Sequence, residues 1–341
     1  MRGTADAPPF STSAKHPLRI LFFGTAELAC ASLAALAQSN AFQIAAVVTQ
    51  PDRPKGRDLK LQPPPVKIEA MRWGLPVLQP ERAREPGFIQ ALGELRLDLI
   101  TVAAYGQILP TSILNLPTFG CLNVHTSLLP KYRGAAPIQW AILNDEPETG
   151  VTIMKMDAGM DTGDILTWKS TPIHPTDNAR TLHDRLATMG AELLVATIPN
   201  YVAGNIAPNK QPDIGMSYAR KITKEDGRLD WKAPARVLWN RIRAFTPWPG
   251  AFTLLPGADK SRLLKIWEAE IEDQAFGQPG QVIHTGPAGM TVACGQQALR
   301  IVTLQREGGR RLAARDFLAG SDLRVGIVLG FVERSADSKL K

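Results

Sequence analysis

C-L-N-V-H-T-S-L-L-P-K-Y-R-G-A-A-P, residues 121–137, is the stretch on which the reading of this chain turns. It begins as a short apolar strand and becomes polar at its end. Asn123 and His125 stand two positions apart. Alternate residues of a strand share a face, so an amide and an imidazole face one side together. A small polar pair, a Leu-Leu-Pro stop and a basic loop ending in glycine follow. Open α/β sheets place their chemistry at the carboxyl ends of their strands, where such a transition sits. Spacing alone leaves a second reading open, a strand end with an Asn-initiated turn and a surface histidine.

Upstream, residues 19–23 form an apolar run, followed by Gly24-Thr25 and a helix-forming segment over 26–37. This reads as strand, glycine turn and helix, the opening of a doubly wound sheet. The turn has one glycine and no G-x-G-x-x-G, so a dinucleotide cofactor is unsupported. Residues 42–49 read as a second strand. The next segment, Q-P-D-R-P-K-G-R-D-L-K-L-Q-P-P-P at 50–65, holds four basic residues and five prolines. Proline removes donors and restricts the backbone, which predicts a loop without regular elements. Arg53, Lys55, Arg57 and Lys60 are candidates to meet phosphates, with Gly56 letting the loop bend; an ordinary solvated loop is the alternative.

The pattern then predicts a helix over 66–73, a short strand over 76–78, a helix over 87–96, a buried strand over 98–104 and, past the 121–137 stretch, a helix over 136–143. Such β-α alternation argues for a mostly parallel sheet. A strand over 150–156 leads into M-D-A-G-M-D-T-G-D-I-L, residues 156–166, and a return strand over 165–168. Three aspartates share this loop with Gly159 and Gly163. The expected design is a tight loop that aims one aspartate inward and uses others as backbone caps. Asp164 is the expected cap. A helix over 178–203 follows.

Beyond residue 206 the pattern changes. Short apolar runs at 252–255, 263–267, 281–283, 289–293 and 299–304 are separated by turn residues. Five short strands in so small a space predict a compact β-barrel. A helix over 237–243 precedes R-A-F-T-P-W-P-G at 243–250. The expected organisation is a tail over 1–17, a first domain over 18–205, a linker over 206–222, a second domain over 223–331 and a tail over 332–341.

The 341 residues are 44% hydrophobic and 21% charged, a composition that builds a globular core. Cys30, Cys121 and Cys294 lie far apart, without zinc spacing or a disulfide framework, which fits a reducing compartment. No window reaches the roughly 18 apolar residues of a membrane span. Residues 1–205 hold 18 Lys/Arg and 18 Asp/Glu, whereas residues 206–341 hold 21 and 14, so the whole net charge of +7 lies in the latter. A polyanionic partner for that part and a merely solvated basic surface both account for this.

N-V-H-T-S-L-L-P with R-G-A-A-P (123–137), D-A-G-M-D-T-G-D (157–164), Q-P-D-R-P-K-G-R (50–57) and R-A-F-T-P-W-P-G (243–250) together resemble the methionyl-tRNA formyltransferase family, in order along nearly the whole chain. The first two motifs are shared with the wider formyltetrahydrofolate-dependent transferases. The resemblance implies an α/β Rossmann-like formyltransferase domain with a mostly parallel sheet, followed by a small OB-like β-barrel that binds tRNA. It implies 10-formyltetrahydrofolate as co-substrate and initiator Met-tRNA as acceptor, a chemistry that requires no metal. A cytoplasmic monomer not associated with membranes is the expected setting. Carried over position by position, it makes Asn123, His125 and Asp161 catalytic. It assigns Ser127, Leu128, Leu129 and Pro130, with Val102, Ala103, Tyr105 and Gly106, to the folate. It brings the loop of Arg53, Lys55, Arg57 and Lys60 to the tRNA. A formyltransferase for a small amine, a formyltetrahydrofolate hydrolase and a non-catalytic RNA-binding protein are the rival readings.

Overall fold

A computed structural model of the chain describes residues 16–55, 60–256, 262–273, 276–321 and 323–330, and of Lys55 the backbone alone. Nearly all of both expected tails, together with Gly56 and Arg57, lie outside the described residues. Contacts divide the chain into two units. One comprises residues 1–125, 153–167 and 187–211; the other comprises 126–152, 168–186 and 212–341.

The elements begin with β1 (Leu18–Gly24), α1 (Leu28–Gln38), β2 (Phe42–Val48), β3 (Arg53–Lys55), β4 (Lys60–Gln62), α2 (Pro65–Arg72), β5 (Val77–Leu78) and α3 (Pro86–Gly93). Then come β6 (Leu99–Ala103), α4 (Thr111–Leu114), β7 (Cys121–His125), β8 (Arg133–Gly134), α5 (Pro137–Leu143), β9 (Glu148–Lys155), β10 (Ile165–Pro172) and α6 (Ala179–Val202). The central sheet has the order β10-β9-β7-β6-β1-β2-β5. The pairs β7-β6, β6-β1, β1-β2 and β2-β5 are parallel, as the β-α alternation predicts. All five residues of β6 are buried, the continuous apolar run that a sheet covered on both faces requires. Leu21, Phe23, Val48, Ile100, Val102 and Tyr105 contribute to the core of the first unit.

The segment 50–65 departs from its expectation as a featureless loop. β3 and β4 form an antiparallel hairpin, with Arg53 opposite Gln62 and Lys55 opposite Lys60. Pro54 is tolerated because a two-stranded ribbon is all edge, and an edge position needs no donor there.

Gly24 closes β1 against its neighbours. A Cβ there would lie 2.7 Å from the Phe22 ring, 2.9 Å from Ala29 Cβ and 3.1 Å from the Ala103 carbonyl oxygen. The single glycine of the first turn thus serves close packing.

The chain continues with β11 (Tyr218–Ala219), α7 (Ala235–Ala244), β12 (Ala251–Leu255), β13 (Arg262–Glu272), β14 (Val282–Gly286), β15 (Gly289–Ala293), β16 (Ala298–Arg306), β17 (Leu312–Ala313) and α8 (Ala314–Ala319). An antiparallel sheet of order β12-β13-β16-β15-β14 forms, with β17 on β16. Its five main strands are the five expected runs, and among the described strands the path stays open between β12 and β14. β13 is longer than its apolar run because alternation continues through Glu268 and Glu270, which face water while Ala269 stays buried. Its register shifts between Ile266 and Ala269, the irregularity that bends a strand. α7 turns Ala235, Leu238 and Ile242 into the core with Leu264, Ile266 and Leu304. β11 falls in the expected linker, where composition gave no strand pattern, and pairs in parallel with β8.

Gly24→Ala should lower the stability of the fold by about 1–3 kcal/mol, the range for overpacking a tight core. Chemical denaturation checks this, with a midpoint equal to that of the parent counting against it.

Candidate active site

β7 delivers Asn123 and His125 from the interior of the parallel sheet. Register puts Val102 beside Asn123. His125 is only 5% exposed, and Asn123 is half-buried. Asp161 reaches both from the loop after β9. Asn123 Nδ2 donates to Asp161 Oδ1 at 3.5 Å, and His125 Nδ1 lies 3.7 Å from Asp161 Oδ2. The three expected catalytic residues therefore meet, with one carboxylate between an amide and an imidazole.

Asp161 has a φ of +54°, in the left-handed region that aspartate tolerates better than most residues. Several contacts impose this conformation. At the loop base, Lys155 N donates to the Asp164 carbonyl at 2.8 Å. Asp157 Oδ1 accepts from Gly159 N at 3.0 Å and from Thr162 Oγ1 at 2.7 Å. The capping side chain is thus Asp157 and not Asp164. Asp157 opens the turn, so its carboxylate reaches forward over the following residues, whereas Asp164 closes the loop through its backbone. A Cβ on Gly163 would stand 1.9 Å from the Lys155 carbonyl oxygen, so only hydrogen fits.

Gln211 completes the support. Its Nε2 donates to the Asp161 carbonyl at 2.8 Å and to the Gly163 carbonyl at 2.7 Å. Asn209 exchanges two backbone bonds with Ile165, at 2.7 and 2.9 Å, and brings Gln211 alongside. Sequence reading left Gln211 in the linker. Its one local signal is an amide side chain in a polar stretch, which says nothing of a partner 50 residues away.

The folate candidates fall in both units. In the first, Val102 and Ala103 end β6 and are buried. Tyr105 turns its ring into the core, edge-on to Phe23 with centroids 5.0 Å apart. Burial pushes the Tyr105 phenol up to about 12. Segment 105–106 offers its backbone instead. The Tyr105 carbonyl accepts from Thr25 Oγ1 at 2.8 Å and Gln50 Nε2 at 2.9 Å. Gly106 has a φ of +85°, and a Cβ there would lie 2.7 Å from Gln50 Nε2. Thr25 and Gln50 thus shape this turn, a role that their positions at the ends of β1 and β2 did not announce.

In the second unit, Ser127 is fully buried, and its hydroxyl donates to the Lys131 carbonyl at 2.6 Å. Thr152 Oγ1 donates to the Ser127 carbonyl at 2.7 Å and accepts from Leu129 N at 3.2 Å. Ser127, Leu128, Leu129 and Pro130 therefore form one braced turn, with a cis peptide before Pro130.

Of the basic candidates, Arg53 Nη2 pairs with Glu81 Oε2 at 3.1 Å in solvent, and Lys60 is exposed. The side chain of Lys55 and all of Arg57 lie outside the described residues. Among the described residues no group of three or more His, Cys, Asp or Glu is placed to hold a metal ion, and no helix is long and apolar enough to cross a membrane.

Comparison with known proteins matches residues 18–198 to the formyl transferase family and residues 221–322 to the formyl transferase C-terminal domain. A methionyl-tRNA formyltransferase of Geobacter metallireducens is 49% identical over 313 residues, covering 92% of this chain and 99% of that protein. One from Myxococcus xanthus is 48% identical over 308 residues, covering 90% of this chain and 96% of its own. Among solved structures, the sugar 3N-formyl transferase WlaRD superposes with a TM-score of 0.60 at 23% identity, covering 84% of this chain and 98% of that one. HypX from Aquifex aeolicus in complex with tetrahydrofolic acid also superposes with a TM-score of 0.60, at 16% identity, covering 89% of this chain and 47% of that one. These two likenesses bear on the fold.

Gln211→Ala should free the aspartate loop. We expect amide hydrogen exchange over residues 157–164 to rise about tenfold or more, the result of local opening, while the strands of the central sheet stay protected. Unchanged exchange in the loop would mean that Gln211 does not brace it.

Proposed function

The chain belongs to the formyl transferase family, and we propose that it moves the formyl group of 10-formyltetrahydrofolate to the α-amino group of methionine on initiator tRNA. The observation that supports this best is the bracketing of Asp161 by Asn123 and His125, in a chain that aligns over 92% of its length with a methionyl-tRNA formyltransferase.

The chemistry asks for three services. The methionine nitrogen attacks the formyl carbon, and a C–N bond forms as the carbonyl becomes an oxyanion. The amine must then lose a proton. The bond from that carbon to N10 of the folate must break, with N10 gaining a proton. Asn123 has two N–H groups on one nitrogen, so one serves Asp161 while the other donates to the oxyanion. His125 in its imidazolium form adds a charge-assisted donor. Asp161 orients both and relays the proton from the amine toward the leaving nitrogen, directly or through water. Gln211 and Asp157 hold the loop that carries Asp161 for that work.

The folate would bear on the backbone around Tyr105 and Gly106. This fit rests on a polar backbone edge held rigidly by Gln50 and Thr25. The β3–β4 hairpin and the basic second unit would supply phosphate contacts. A formyltransferase for a small amine would not need the positive excess beyond residue 206, which favours the tRNA reading.

The test mixes protein, 10-formyltetrahydrofolate and methionine-charged initiator tRNA, with a parallel reaction lacking tRNA. Formyl-methionine on the tRNA is the expected product. Folate turnover without tRNA would replace this reading with the hydrolase or small-amine one. Asn123→Ala, His125→Ala and Asp161→Ala should each lower kcat about a hundredfold or more, the scale of a lost oxyanion donor or proton relay. A folded His125→Ala variant of near-normal activity would remove His125 from the mechanism.

A further inference from the structure

The R-A-F-T-P-W-P-G segment at 243–250 has no part in the catalytic centre, yet it is built with care. Phe245 is buried as an anchor, and Gly250 N donates back to the Phe245 carbonyl at 2.9 Å. This bond closes a small loop. At its tip Trp248 is 51% exposed, a large apolar side chain held toward water.

Cations are fixed beside it. Lys265 Nζ donates to the Pro249 carbonyl at 3.1 Å and lies 5.3 Å from the centroid of the Trp267 ring. The guanidinium of Arg311 stacks on that same ring at 3.5 Å. The Trp267 indole is itself pinned, its Nε1 donating to Gln305 Oε1 at 2.9 Å. Gly250, with a φ of +84°, is required here, because a Cβ would lie 3.0 Å from the Trp267 ring and 3.2 Å from Lys265 Nζ. Among the described residues neither Lys265 nor Arg311 is ion-paired. Arg311 belongs to the turn R-E-G-G-R-R (306–311), which holds three arginines and one glutamate.

An exposed indole on a closed loop, with two uncompensated cations held next to it by a second indole, matches one ligand chemistry. Unpaired nucleotides present a π-face to stack and a phosphate to neutralise. We propose that Trp248 is a stacking platform for an unpaired nucleotide of the tRNA, with Lys265 and Arg311 as its phosphate contacts. This rests on the tRNA reading above and adds a binding element separate from the catalytic residues.

The experiment measures the Kd of methionine-charged initiator tRNA, the kcat and KM of formylation, and the Tm for the parent, Trp248→Ala, Trp248→Phe and Arg311→Gln. Stacking predicts that Trp248→Ala weakens binding between about fivefold and about a hundredfold and raises KM, with kcat at saturating tRNA and Tm unchanged. Trp248→Phe, which keeps a ring, should stay within about threefold of the parent. Arg311→Gln should reduce the slope of log affinity against log salt by about one. Unchanged affinity in Trp248→Ala overturns the proposal, as does equal loss in the Phe and Ala variants. If the parent binds tRNA without formylating it, the activity assignment fails while the stacking comparison still decides this one.

Discussion

The Asp161 carboxylate is the point on which the site depends. It is the only group among the three that does not come from a sheet strand, and its position must be imposed. A left-handed backbone at a non-glycine residue persists only where surrounding contacts over-determine it. Here they do so from three sides: the Asp157 cap within the loop, the lack of space at Gly163, and the Gln211 amide across two carbonyls. The relay proposed for Asp161 requires its carboxylate within a fraction of an ångström of both partners, since a misplacement of about 1 Å can cost a hundredfold in rate. The loop is therefore constrained on its backbone, and the Asp161 side chain meets Asn123 and His125.

The partners on β7 are held by different means. β7 lies next to β6, and β6 next to β1, in parallel register. A slip by one residue would turn Asn123 and His125 to the opposite face. Burial of β6 on both sides and the tight contact at Gly24 oppose such a slip. Hydrophobic packing thus fixes two members of the triplet, and hydrogen bonds fix the third.

That division explains what the sequence made legible. Period-two spacing of Asn123 and His125, the β-α alternation and the five runs of the second sheet are local patterns, and each appears in the structure where it was read. The roles of Gln211, Gln50 and Thr152 are not local. Each acts through a partner 25 to 55 residues away along the chain, which no window reveals. Asp157 and Asp164 were indistinguishable by composition, and the direction of the turn decided between them. The hairpin at β3–β4 is hidden by its prolines, because proline bars a central strand but not a ribbon that is all edge. The resemblance assigns Tyr105 to the folate without saying which part of it faces the ligand, and its ring packs into the core edge-on to Phe23.

The charge of the second half shows a further limit of reading composition. Its positive excess is not one surface. Arg243 lies on the Trp239 ring at 3.8 Å and donates to the His174 and Asp177 carbonyls, and burial pulls its guanidinium down to about 10. Arg220 grips Asp226, whose carboxyl is held well below the usual carboxylate range by that bond. Arg236 pairs with Asp145. The charges of Arg220 and Arg236 are matched by carboxylates and the Arg243 guanidinium is desolvated, so these three have less to offer a polyanion. What remains for phosphate, among the described residues, is the set without carboxylate partners, Lys265 and Arg311 among them. The number of counterions released when RNA binds is therefore governed by unpaired cations and not by the sum over the chain.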